Sequence, residues 1–254
     1  AGETRPIEFG GYKAGMTQIV FVDNRKGSMT QGQEITKAVS VIECPPLFVF
    51  GVRFYREGEK GLEALGVVWA KDLKKDLVRK LDVPKEPKSD FSVFEGRLNE
   101  IADIRLLVHT QPRETGLGKK KPEVFEIDLS GTNEEKLKYA KEKLGKEIDI
   151  SEVFSEGEYV DVKAVTKGKG YQGVVKRFGV KIRTRKDKEK RRHIGTMGPV
   201  TPGRVLPGKI PMAGQLGFHN RTEFNKRLVK IGKDGLGIKG GFLRYGNVKK
   251  DYVL

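Results

Sequence analysis

Apolar and polar positions alternate in short runs over the first 70 residues, and each run stops at glycine, proline or a polar pair. Met16 to Val22, Ile35 to Glu43, Leu47 to Phe54 and Leu62 to Ala70 are rich in β-branched and aromatic residues. Gly10-Gly11, Asp23-Asn24, Pro45-Pro46 and Glu57-Gly58 punctuate them, so the pattern predicts four short strands joined by turns. Strands at this spacing point to a small barrel or sandwich.

The period then changes. Leu73, Leu77 and Leu81 recur every fourth residue and predict an amphipathic helix over 71–81. Ile104 to Thr110 and Glu123 to Leu129 read as strands. Thr132 and Glu135 have capping-box spacing ahead of Leu137, Ala140 and Leu144 on one helical face, and Gly145 ends that helix. Alternation returns from Glu158 to Thr166, and two short strand-like runs fill Gly241 to Leu254. The expected fold is mainly β with an α+β insertion: a discontinuous β-barrel over 1–70 and 155–254, an inserted α+β module over 71–154, and a long basic extension over 166–227 within the barrel domain. An excursion of that length needs a partner to order it, because internal packing cannot.

Charge names the kind of partner. Between Lys163 and Lys230 the chain carries 19 Lys and Arg against three acids, Asp187, Glu189 and Glu223, and the remaining residues sum to zero. Like charges at that density resist compaction, whereas phosphates reward them through Coulomb attraction and counterion release. Ten glycines in the same stretch let the main chain approach an irregular surface. Tyr171, Phe178, His193, Phe218 and His219 are interleaved with the cations, a mixture that suits RNA with unstacked bases. A membrane surface fits less well, since glycine and proline break the stretch and leave no amphipathic helix. No apolar run approaches the roughly 20 residues of a membrane span, and no secretory segment is expected.

Candidate chemistry is sparse. Cys44 is the only cysteine, which excludes an intrachain disulfide and a Cys-x-x-Cys zinc site and fits a reducing, cytoplasmic setting. His109, His193 and His219 lack metal-ligand spacing and read as packing or hydrogen-bonding residues. Gly168-Lys-Gly-Tyr-Gln-Gly173 matches G-x-G-x-x-G after a strand, but the dinucleotide reading needs a following helix and an acid about 20 residues on. Phosphate contact by Lys167, Lys169 and nearby N–H groups is the better reading. No enzyme, cofactor, metal or small-molecule substrate is expected. The rival is a translation factor or enzyme that uses the barrel as a platform on RNA, and it would need a phosphate loop that this sequence lacks. Charged residues make up 33% of the chain against twelve Asn and Gln, a balance that suits ion-pair networks at high temperature.

Three segments also carry a resemblance. Gly11-Tyr-Lys-Ala-Gly-Met-Thr17, Tyr159-Val-Asp-Val with Thr166-Lys-Gly-Lys-Gly-Tyr-Gln-Gly173 and Val175-Lys-Arg177, and Gly214 to Arg227 resemble, in order and spacing, the universal large-subunit ribosomal protein number three family. The insertion between them is similar to the archaeal and eukaryotic form. The resemblance implies a six-stranded Greek-key barrel of the translation-protein type on the outside of the large subunit, with an extension that enters the large-subunit rRNA toward the peptidyl transferase centre. It also implies early rRNA binding during assembly, neighbouring large-subunit proteins as partners, and no chemistry of its own.

By position, the resemblance assigns rRNA contact to Lys13 and to the root of the extension, with Lys167, Lys169, Tyr171, Gln172, Lys176 and Arg177. The outgoing arm supplies Lys181, Arg183, Arg185, Lys186, Lys190, Arg191, Arg192 and His193; the finger, Gly195 to Pro211, supplies Arg204 and Lys209. The return supplies Gln215, Phe218, His219, Arg221, Lys226 and Arg227. Members of the archaeal and eukaryotic form usually place tryptophan at the fingertip, where this chain has Val200-Thr201. They usually also extend further at both ends, so further terminal residues are expected.

Overall fold

The structure is a computed structural model that describes residues 4–84, 90–198, 201, 203, 205, 210–233, 235–239 and 241–254. The chain divides into two compact units, Ala1–Glu158 with Arg227–Leu254, and Tyr159–Lys226. The first unit opens with β1 (Tyr12–Val22), β2 (Glu34–Glu43), β3 (Leu47–Gly58) and β4 (Gly61–Trp69), and continues with α1 (Ser92–Glu95), β5 (Asp103–His109) and β6 (Val124–Asp128). It then adds α2 (Asn133–Lys143), β7 (Glu147–Ile148) and α3 (Ile150–Val153). The second unit holds β8 (Tyr159–Val165), β9 (Tyr171–Gln172), α4 (Val174–Phe178), β10 (Gly214–Gln215) and all but the last residue of β11 (Asn220–Arg227), after which the chain returns to the first unit through β12 (Ile231–Gly232) and β13 (Tyr252–Val253).

The core of the first unit lies on a five-stranded sheet of order β4-β3-β5-β6, with β7 also paired to β3. Its centre is β3, whose first six residues, Leu47 to Val52, are all buried. Phe48 and Phe50 face a cluster with Leu77 and Leu107, while Leu47, Val49, Val52 and Phe54 face another with Ile104, Leu106, Ile127, Leu137 and Ala140. The parity flips across Gly51, where the register with β5 shifts between Val49 and Gly51. That bulge interrupts the alternation along β3. A Cβ on Gly51 would lie 3.1 Å from Val68 O and 3.2 Å from a Leu107 methyl, so glycine fits the crowding. Burial of each large side chain here contributes about 1.5–3 kcal/mol.

Two sequence expectations change at this sheet. Leu47–Phe54 and Leu62–Ala70 were expected in a barrel with the N-terminal strands, but β3 and β4 take β5 and β6, from the expected insertion, as sheet partners. The physical reason is visible in β3: a strand apolar on both faces needs cover on both, and α2 lies on one side and the leucines of 73–81 on the other. The described strands form separate sheets, and none closes into a barrel. The helix expected over 71–81 is a 3-10 turn at Lys75–Arg79. Leu77 is buried and Leu73 and Leu81 half-buried as the spacing requires, but Lys74 is extended, its ammonium held by Gln111 and Glu147. The helix at Thr132 forms with its capping box, Thr132 N–H donating to Glu135 at 3.0 Å, and Gly145 follows it at φ +78°.

A second sheet, of order β1-β2-β13-β12, joins residues from both ends of the chain. Glu43, at the end of β2, is fully buried there. Its carboxylate accepts N–H bonds from Gly116 at 3.2 Å, Lys249 at 2.6 Å and Lys250 at 2.8 Å. One side chain therefore fixes two loops that are remote in sequence. At the other end of the β1–β2 hairpin, Asp23 accepts bonds from Arg25, Thr30 and Ser28, and these hold its carboxyl well below the usual range.

Ion pairs run across the first sheet. Lys136 donates to Asp103 at 2.7 Å and Asp128 at 3.0 Å, Arg105 to Asp103 at 2.8 Å, and Arg53 and Tyr55 both to Glu126. Burial raises the Asp103 pKa, but the bonds from Lys136 and Arg105 outweigh it and the net direction is down. Burial likewise lowers that of Lys136, and its two carboxylates outweigh it, so the net direction is up. His109 is buried between Phe48 and Phe50, and desolvation holds its imidazole below the usual value despite the Nδ1 bond to Thr110 O at 2.9 Å.

A pH dependence of stability follows from these signs. A depressed histidine is bound by protons more readily when unfolded, so stability begins to fall below about pH 6.5. Asp103 and Asp23, depressed carboxylates, withdraw their contributions as pH drops from about 4. Raised Lys136 acts only on the alkaline side, from about pH 10.4 upward. Urea unfolding across pH is expected to show a plateau between about 7 and 8.5, above which the raised Cys44 thiol favours the unfolded chain, with two acid stages, the first no steeper than about 1.4 kcal/mol per pH unit. A His109→Phe variant should lose the first stage alone; an unchanged profile would contradict the assignment.

Candidate nucleic-acid interface

The second unit is built from two small antiparallel ladders. β8 pairs with β11, and β9 with β10 through Tyr171 opposite Gln215 and Gln172 opposite Gly214. Between them Thr166 N–H donates to His219 O and Phe218 N–H to Thr166 O, each at 3.0 Å. Lys169 N–H meets Leu216 O and Leu216 N–H meets Gly170 O, each at 2.9 Å. The turn depends on Gly217, at φ +75°, where a Cβ would stand 2.0 Å from Lys167 O. The result is a neck that sets the two basic runs side by side.

At this neck Phe218 adopts φ +55°, a left-handed conformation that costs a residue with a Cβ about 1–2 kcal/mol. Its ring is nonetheless 75% exposed, so the strain serves no internal packing. Tyr171 is 77% exposed, and Phe178, beneath the Arg177 guanidinium at 4.9 Å, is exposed as well. Three aromatic faces are thus presented to solvent on a cationic scaffold.

The cations themselves are mostly unpaired. This unit has 17 Lys and Arg against four acids. Among the described residues only Arg183 with Asp187 at 3.8 Å and Lys226 with Glu223 at 3.0 Å form ion pairs in it. Arg204 and Lys209 lie outside the described residues, as does Val200, so thirteen bases remain without a carboxylate. Lys167, Lys169, Lys176, Lys181, Arg185, Lys186, Lys190 and Arg192 are exposed, as are His193 and Arg221. Arg191 donates weakly to Arg183 O at 3.5 Å, across the 3-10 segment Arg185–Lys190, which is broken at Lys188, φ +47°.

Arg221 donates to Asn220 O at 2.8 Å, and three more of the expected contact residues hold the main chain of the neck. Arg177 donates to Met212 O at 2.7 Å and Gln215 O at 3.1 Å; Gln172 donates to Lys169 O at 2.6 Å; Gln215 donates to Leu216 O and Gly217 O, each at 3.1 Å. They brace the neck and leave phosphate contact to their neighbours. Half-buried His219 contributes its carbonyl to Thr166. Arg227, exposed, belongs with the first unit, and Lys13 is exposed on β1, apart from this cluster in sequence and in unit. Sequence reasoning missed the left-handed Phe218; the Gly217-Phe218 pair was the only available signal.

The glycine-rich motif resolves similarly. A helix does follow Gly173, contrary to the sequence expectation, but α4 has five residues and ends at Gly179 in a left-handed cap, φ +67°. One and a half turns with no acid nearby do not make a dinucleotide site. Burial pushes the Cys44 thiol up to about 12, which leaves it protonated and unreactive. Among the described residues no cluster of His, Cys, Asp or Glu could hold a metal, and no helix is long and apolar enough to cross a membrane.

A β-rich body joined to a cationic unit with unpaired bases and exposed rings defines a protein of the ribonucleoprotein class. The profile of the family described as Ribosomal protein L3 matches residues 5–254. The chain is 48% identical over 258 residues to large ribosomal subunit protein uL3 of Methanothermobacter thermautotrophicus, covering 98% of this chain and 76% of that protein. It is 47% identical over 259 residues to the uL3 of Picrophilus torridus, covering 100% and 77%, and 46% identical over 253 residues to that of Methanococcus aeolicus, covering 98% and 76%. The chain belongs to the ribosomal protein L3 family and is not an enzyme.

Proposed function

We propose that this chain is a structural constituent of the cytoplasmic large ribosomal subunit, where it binds 23S-type rRNA, organises early assembly and supports the region near the peptidyl transferase centre. The observation that carries the reading is the set of thirteen bases in Tyr159–Lys226 that have no carboxylate partner among the described residues, beside strained, exposed Phe218. Lys and Arg neutralise phosphates, glycines let the backbone follow the grooves, and Tyr171, Phe178 and Phe218 cover unstacked bases. Neighbouring large-subunit proteins are the further partners. The six-stranded Greek-key barrel and the extension over 166–227 belong to the same proposal, with the inserted module taking in β3 and β4 as sheet partners of β5 and β6; the sheet β1-β2-β13-β12, drawn from both ends of the chain, supports the barrel's discontinuity.

On an rRNA fragment, about ten phosphate contacts give a slope of log affinity against log salt near −9 for duplex-like RNA and a shallower one for single strands. Filter binding from low to high salt measures it directly. A slope of about −2 would defeat the reading, since so few contacts could not use the unpaired charge.

A further inference from the structure

Charge in the first unit is far from evenly spread. That unit carries 33 bases against 30 acids, yet two loops in it, 113–121 and 239–250, hold eight bases and one acid, Glu114. The rest of the unit is therefore net negative. Both loops are fixed to each other: Glu43 accepts N–H bonds from Gly116, Lys249 and Lys250, and Lys250 pairs with Glu114 at 2.9 Å. A Cβ on Gly116 would lie 2.3 Å from Asn247 O, which measures how closely the two backbones approach. Phe242 packs its ring on Gly15 of β1, two residues from Lys13.

From this juxtaposition we infer that the welded loops form a second polyanion-binding surface, which grips an rRNA backbone independently of Tyr159–Lys226. Arg113, Lys119 and Lys250 are neutralised by Asp76, Glu123 and Glu114. Lys120, Lys121, Lys239, Arg244 and Lys249 are exposed and have no carboxylate partner among the described residues. Lys120 and Lys121 follow Gly116 within five residues, so an extended chain keeps them within about 17 Å of the weld. Rigid placement of like charges is unfavourable without a counter-charge, and the fully buried carboxylate of Glu43, which binds main-chain N–H groups, forms no ion pair with any of these five side chains. A phosphate backbone is the complement that tolerates such spacing without sequence preference. The surface also gives isolated Lys13 its company.

The inference rests on the proposed rRNA binding, and the test separates the two. In the full chain, K120Q, K121Q, R244Q and K249Q are combined, and a control combines K26Q, K37Q, K60Q and K138Q, exposed lysines of the same unit outside the loops. Removing four phosphate contacts makes the salt slope on an rRNA fragment shallower by about 3 to 4 and weakens binding at least about tenfold, whereas the control leaves the slope unchanged. Thermal melting of both variants is expected to match the parent. A steep parental slope that the loop variant leaves intact overturns the second surface alone, as does an equal loss in the control. A parent with a slope near −2 overturns both it and the reading it rests on. Unchanged RNA binding with lost incorporation into the subunit would assign the loops to a protein neighbour and likewise overturn the inference.

Discussion

Replacing Glu43 by alanine is expected to lower the unfolding free energy by about 3–5 kcal/mol, because three N–H groups from two loops lose the fully buried, charged acceptor they share. Against a typical total of about 5–15 kcal/mol, that is a fifth or more of the stability. Glu43→Gln keeps one acceptor oxygen and should lose less. The measurement is urea unfolding of the full chain, with hydrogen exchange at Gly116, Lys249 and Lys250 as the local reading. Retained protection at these three amides in the alanine variant would show that something other than the carboxylate fixes the loops.

Gly217→Val is the second large effect, and it falls on the other unit. A Cβ 2.0 Å from Lys167 O cannot be accommodated by side-chain adjustment, and φ +75° adds left-handed strain for a β-branched residue. The bonds of Thr166, Lys169, Leu216 and Phe218 across the neck should break together. Exchange at those amides is expected to become fast while the β3 and β5 amides stay slow, and rRNA affinity should fall at least tenfold, about 1.4 kcal/mol. If the neck amides remained protected, the turn would have a way round glycine that the described geometry does not offer.

How much of this was legible beforehand varies with the range of the interaction. Strand positions, the Thr132 capping box and the basic stretch were readable because each is set by neighbours within about ten residues. Sheet partners were not: Leu47 to Val52 reads as one more barrel strand until its burial on both faces shows why it takes β4 and β5. The leucines of 73–81 gave the right buried face and the wrong helix, since Lys74 is tied down by Gln111 and Glu147 from distant segments. Within the candidate interface, residue type located the cations but could not tell Arg177, which braces Gly214 and its neighbours, from the exposed lysines around it. The charge of 113–121 and 239–250 vanished into an overall neutral sum because its compensating acids lie elsewhere on the same body.

Glu43 receives Lys249 and Lys250, residues 206 and 207 positions downstream, and β2 receives β13. On a chain emerging residue by residue from its own synthesis machinery, the whole cationic unit is out before those last partners exist. At the usual pace of about 5–20 residues per second, that interval lasts on the order of ten seconds. A nascent polypeptide of this design meets nucleic acid with its N-terminal sheet unfinished, so premature capture by stray polyanions is the hazard that any escort during biogenesis has to prevent.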